Sequence, residues 1–139
     1  MKHIKILSCV YDQMINTVGE TETESGGAMA MQNNTIVDFY FDIEAGCGNK
    51  YYKPSSSKIT EVARNWEASG FSFGGFLHSH EVPYTKLSAM DIVSAARVIA
   101  VNKLPCLFMG VLCGSQLYMY EVSPGDKYPQ VTACTYEII

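Results

Sequence analysis

What most constrains the fold is punctuation: short stretches of helical and strand periodicity alternate along the chain, each stopped by Gly, Pro or Asn before it can run long. Residues 4–7 read as a short strand or a helix lead-in. From Ser8, apolar Val10, Met14 and Val18 recur at helical spacing, which predicts a first helix ending near residue 18. The polar, Gly-terminated run 19–27 is a loop. Segments 28–32 and 35–43 flank Asn33-Asn34, a hairpin signal because Asn tolerates the positive φ of tight turns. An irregular loop is expected over 44–53. A second helix over 58–69 carries Ile59, Val62, Ala63 and Trp66 on one stripe and is closed by Gly70. Residues 71–78 form the next strand, where Gly74 and Gly75 indicate close backbone approach or a bulge. A third helix runs from Ser88 to about residue 101. A hairpin of 107–113 and 117–122 follows through Gly114-Ser115, and 128–139 adds a last strand. Helices and strands alternate first and strands dominate later. The expected class is therefore α/β, with a central mixed β-sheet flanked by helices.

The 139 residues suffice for one core, and the chain reads as a single domain over 1–139. No apolar run approaches the roughly 20 residues needed to cross a bilayer. Residues 1–7 are too brief for a signal peptide, and no small-residue cleavage site follows them. A formal charge of −4, with no Lys/Arg cluster to offset it, argues against phosphate-backbone binding. The expectation is a soluble, cytoplasmic protein with neither nucleic acid nor membrane as partner. Cys9, Cys47, Cys106, Cys113 and Cys134 are scattered, and none forms a C-x-x-C pair. They are expected to be reduced and mostly buried, Cys106 and Cys113 lying in or beside an apolar segment.

Chemistry concentrates after the 71–78 strand, in His78-Ser79-His80-Glu81-Val82-Pro83-Tyr84-Thr85-Lys86-Leu87-Ser88-Ala89-Met90-Asp91. Side chains at i and i+2 of a strand share a face, so His78 and His80 can both present a ring nitrogen to one ion. Asp91, at the start of the next helix, would complete a His-His-Asp set. Zinc accepts imidazole and carboxylate at about 2.0–2.2 Å, and three protein ligands with a fourth position open is its usual catalytic arrangement. Ser88-Ala89-Met90-Asp91 is also a good capping box, which by itself accounts for both the Ser and the acid. The two roles combine if Ser88 caps the helix while Asp91 turns towards a metal.

The pattern His-x-His, seven residues, Ser, two residues, Asp resembles the signature of the JAMM/MPN+ (JAB domain) zinc metalloprotease family. Glu24-Ser25-Gly26-Gly27 resembles that family's upstream glutamate before a Gly-Gly strand opening, and Gly75-Phe76-Leu77-His78 its approach to the first histidine. The resemblance implies a JAB/MPN domain of compact prokaryotic type, with a cytidine-deaminase-like fold. It implies one zinc ion held by His78, His80 and Asp91, with Glu24 as general acid/base and Ser88 as oxyanion donor. It further implies a metallopeptidase or isopeptidase that cleaves after the C-terminal Gly-Gly of a ubiquitin-like or sulfur-carrier protein. Two positions depart from the family pattern: Glu81 and Leu87 stand where Pro is common, with Pro83 between them. The alternatives are a metal-free MPN-type scaffold and, behind it, a RadC-like role beside nucleic acid, which the acidic balance disfavours.

Overall fold

The computed structural model describes residues 2–21, 24–43 and 52–139. Most of the loop expected over 44–53 lies outside the described residues, as does Cys47. The described elements run β1 (His3–Ile6), α1 (Ser8–Thr17), a 3-10 turn (Val18–Glu20), β2 (Gly26–Gln32), β3 (Thr35–Phe41), α2 (Ser56–Ala68), β4 (Ser72–His80), α3 (Ala89–Asn102), β5 (Leu107–Cys113), β6 (Gln116–Ser123) and β7 (Gln130–Ile138). Local signals account for most of these boundaries. Asn33 and Asn34 take φ of 52° and 63° and join β2 to β3, and Gly70 takes φ of 86° just beyond α2. Strand β4 continues two residues past its expected end, so both histidines lie within it.

The expected architecture is overturned. The strands do not form a central sheet flanked by helices in a cytidine-deaminase-like arrangement. They close into a seven-stranded mixed barrel in the order β1-β3-β2-β4-β5-β6-β7. Closure is made by β1 pairing in parallel with β7, His3 opposite Thr135 and Ile6 opposite Ile138. Curvature comes from two bulges: Val37 of β3 is the extra residue where Ala30 and Met31 face Asp38 and Ile36, and Gly74 of β4 is the extra residue where Met29 and Ala30 face Gly75 and Phe73. Such bulges bend a strand and increase its twist, letting a sheet curl until its edges meet. Gly75 contributes to the same bend: its φ is +148°, and a Cβ there would lie 1.7 Å from Phe108 O.

Strand alternation then divides the apolar residues between two faces. Met29, Met31, Leu77, Phe108, Leu112 and Met119 pack with Val10, Met14 and Val18 of the α1 region in one cluster. Ala28, Ala30, Phe76 and Met109 face the opposite way, under Ile59 and Trp66 of α2 and Ala95 and Ile99 of α3. Trp66 Nε1 donates to Asp38 Oδ2 at 2.9 Å and ties α2 to β3. Among the described residues, no helix is long and apolar enough to cross a membrane. Cys9 is exposed, Cys106 and Cys134 are half-buried and Cys113 is buried; all four are free thiols, and Cys9 departs from the expected burial.

Candidate metal centre

Strand β4 lies between β2, antiparallel, and β5, parallel, and its C-terminal end delivers His78 and His80 to the face shared with α3. His78 is 4% exposed. Helix α3 begins one loop later with Ser88 as N-cap. Ser88 Oγ accepts from Asp91 N at 3.1 Å, and Asp91 Oδ2 accepts from Ser88 N at 2.8 Å, so the capping box is complete. The box leaves the same carboxylate turned towards β4. Asp91 Oδ2 lies 3.1 Å from His78 Nε2 and 3.2 Å from His80 Nε2, and the two imidazole nitrogens are 2.8 Å apart.

Those spacings suit a cation. A tetrahedral ion with bonds of about 2.0–2.1 Å separates its ligand atoms by about 3.3 Å, so the three atoms approximate one face of such a tetrahedron. The ring of His80 is oriented from outside the group: Nδ1 lies 3.2 Å from Tyr84 O, and since a carbonyl can only accept, Nδ1 is the donor. In neutral imidazole that leaves Nε2 as a bare acceptor facing the Asp91 carboxylate, the tautomer a metal ligand needs. Two acceptors at this distance require a proton or a metal ion between them. The electrostatics agree: its hydrogen bond with Asp91 raises His80 above its ordinary value, against the opposing effect of burial. Burial works against ionisation of Asp91, but hydrogen bonds with His78 and His80 outweigh it and hold the carboxyl far below the usual range.

Glu24 reaches the site through register. Gly26 stands opposite His78, and Ser79 N donates to Ser25 O at 2.9 Å, so the next position along places Glu24 across from His80. Gly26 permits this approach, because a Cβ there would meet Leu77 O at 2.4 Å and the Tyr52 ring at 2.7 Å. Glu24 and His80 line one pocket of about 250 Å³ together with Thr21, Ser79, Glu81 and Gly114. Burial raises the Glu24 carboxyl, while His80 and His78 pull it down. Of the five expected residues, the structure thus brings His78, His80 and Asp91 to one point and sets Glu24 beside His80. The fifth, Ser88, is exposed, its oxygen accepting in the cap with its own proton left to donate.

The 250 Å³ pocket is bordered by the loop between β4 and α3. Tyr84 N donates to Glu81 O at 2.8 Å, Tyr120 OH donates to Thr85 O at 2.5 Å, and the Val82–Pro83 peptide is cis. The carbonyl of Tyr84 and the hydroxyl of Tyr120 are supports that sequence reasoning missed. A backbone carbonyl has no residue signature, and Tyr120 lies two strands away in the chain. No protein-family model and no curated protein matches this chain. Among solved structures, it is similar to the solution structure of protein DSY2949 from Desulfitobacterium hafniense. The TM-score is 0.66 at 12% sequence identity, covering 98% of this chain and 94% of that one. At that identity the likeness is one of fold.

Proposed function

We propose that this chain is a zinc-dependent metallopeptidase or isopeptidase of the JAMM/MPN+ type, acting on the C-terminal Gly-Gly tail of a ubiquitin-like or sulfur-carrier protein. The observation that carries this reading is the convergence of His78 Nε2, His80 Nε2 and Asp91 Oδ2 within 2.8–3.2 Å of one another, with Glu24 lining a pocket beside His80. Zinc bound there would supply Lewis-acid activation of water and of the scissile carbonyl. His78, His80 and Asp91 hold it, with the α3 cap orienting Asp91 and the Tyr84 carbonyl orienting His80. Glu24, which ligates nothing, takes a proton from the attacking water and returns it to the leaving amine. Ser88 donates its hydroxyl proton towards the carbonyl oxygen as negative charge builds there. A Gly-Gly tail suits such a site, because glycine lets a peptide backbone come close to the reacting centre.

The test begins with metal analysis of the purified chain, where one zinc per molecule is expected. A ubiquitin-like protein extended beyond its Gly-Gly is then offered. Cleavage should vanish with a chelator, return with zinc, and fall about 10²- to 10⁴-fold in Glu24→Gln while zinc stays bound. Cleavage that survives chelation or Glu24→Gln refutes the mechanism. Bound zinc with no cleavage of any such substrate refutes the substrate class, and a metal-free protein points to a scaffold.

A further inference from the structure

We infer that Ser79 and Thr21 are positioning residues that clamp Ser25 from two sides and so hold the neighbouring Glu24 at the metal site; this rests on the reading of Glu24 proposed above. Ser79 lies between the two histidines, and by strand alternation its side chain points to the opposite face, away from the ligand group. It is used instead on the backbone that carries Glu24. Ser79 Oγ accepts from Ser25 N at 3.0 Å and donates to Ser25 O at 3.4 Å, while Ser79 N donates to the same carbonyl at 2.9 Å. On the other side, Thr21 Oγ1 donates to Val18 O at 2.9 Å, which commits its single proton. The 2.6 Å contact between Thr21 Oγ1 and Ser25 Oγ is therefore donated by Ser25. Ser25 is thus held at its N–H, its carbonyl and its hydroxyl.

The need for such a clamp follows from where Glu24 stands. Strand β2 begins at Gly26, opposite His78, so Glu24 precedes the regular β2–β4 ladder. A proton carrier must stay within about 2.6–3.2 Å of its partner atoms, and a misplacement of about 1 Å costs on the order of 100-fold in rate. The clamp joins Glu24 to the strand that bears both histidines and to the 3-10 turn after α1. Acid and ligands therefore move as one body.

Three variants test this. Ser79→Ala and Thr21→Val should each lower kcat by about 10- to 100-fold with KM and zinc affinity unchanged, and Thr21→Ser, which keeps the hydroxyl, should restore kcat. In a Glu24→Gln background, Ser79→Ala should lower kcat no further, because the group it positions is already disabled. Independently of substrate, the Ser25 and Gly26 amides should exchange hydrogen faster in Ser79→Ala than in the unmodified chain. Additive losses in the Glu24→Gln background, or a zinc affinity that falls with kcat, would overturn the clamp by showing that Ser79 acts on the histidines. Unchanged exchange would overturn it as well. Should Ser79→Ala not fold, Thr21→Val on an exposed residue carries the same comparison. An unmodified chain that cleaves nothing refutes the peptidase reading alone, since exchange then decides the clamp.

Discussion

Asp91 serves both the α3 cap and the candidate metal group through one oxygen, and Asp91→Asn separates the two roles. The amide oxygen of Asn can still accept from Ser88 N, whereas Ala loses that half of the capping box and about 1 kcal/mol with it. For 139 residues the unfolding entropy is about 0.3 kcal/mol/K, so 1 kcal/mol corresponds to roughly 3 °C in Tm. Without metal, Asp91→Ala should therefore melt about 3 °C below Asp91→Asn. With zinc at 100 times its Kd for the unmodified chain, mass action adds about 2.7 kcal/mol, or roughly 9 °C. Losing a ligand weakens binding by at least about 100-fold, the upper end of the cost of losing even an outer partner. Both variants should then gain only about 0.4 kcal/mol, roughly 1 °C, at that zinc concentration. The assay is thermal unfolding by circular dichroism with and without zinc. If Asp91→Asn keeps the full zinc-dependent rise, Asp91 is a capping-box partner and not a ligand.

Gly26→Ala puts a Cβ 2.4 Å from Leu77 O, a backbone atom that cannot yield without opening the β2–β4 ladder. A stability loss of about 1–3 kcal/mol is expected in urea titration, together with lower kcat as Glu24 is displaced; wild-type values for both would contradict the close approach. Trp66→Phe removes the 2.9 Å bond to Asp38 and should cost about 1.5–3 kcal/mol with zinc affinity unchanged, which calorimetry and metal titration read separately. Glu81 is exposed at the pocket rim, so Glu81→Lys should change stability by less than about 0.5 kcal/mol. It should instead lower KM for tails with acidic flanking residues in a salt-dependent way, and a KM insensitive to substrate charge would rule out Glu81 as a selector.

Much of the site was legible because its parts are local. His78 and His80 share a face through strand alternation alone. Ser88 and Asp91 form the predicted capping box, three residues apart at the mouth of α3. The Asn33-Asn34 hairpin likewise needs nothing beyond the φ preference of its residues. Glu24 was legible only through its resemblance to a known pattern. Its neighbours Glu20 and Glu22 carry the same side chain, and the physical reason for choosing among them is the register of β2 on β4.

The sequence by itself determined the succession of helices and strands, the common face of the two histidines and the start of α3 at Ser88. Each of these depends on residues within a few positions of one another, where sterics and periodicity act directly. Only the tertiary structure decided that the sheet closes. The pairing of His3 with Thr135 spans nearly the whole chain, and although Gly74 signals one of the bulges that bend the sheet, the other, at Val37 of β3, has no mark in the sequence pattern. It also decided the position of Glu24 and the ring orientation of His80. Both rest on backbone partners, Ser25 against Ser79 and His80 Nδ1 against Tyr84 O, and every residue type offers the same backbone groups.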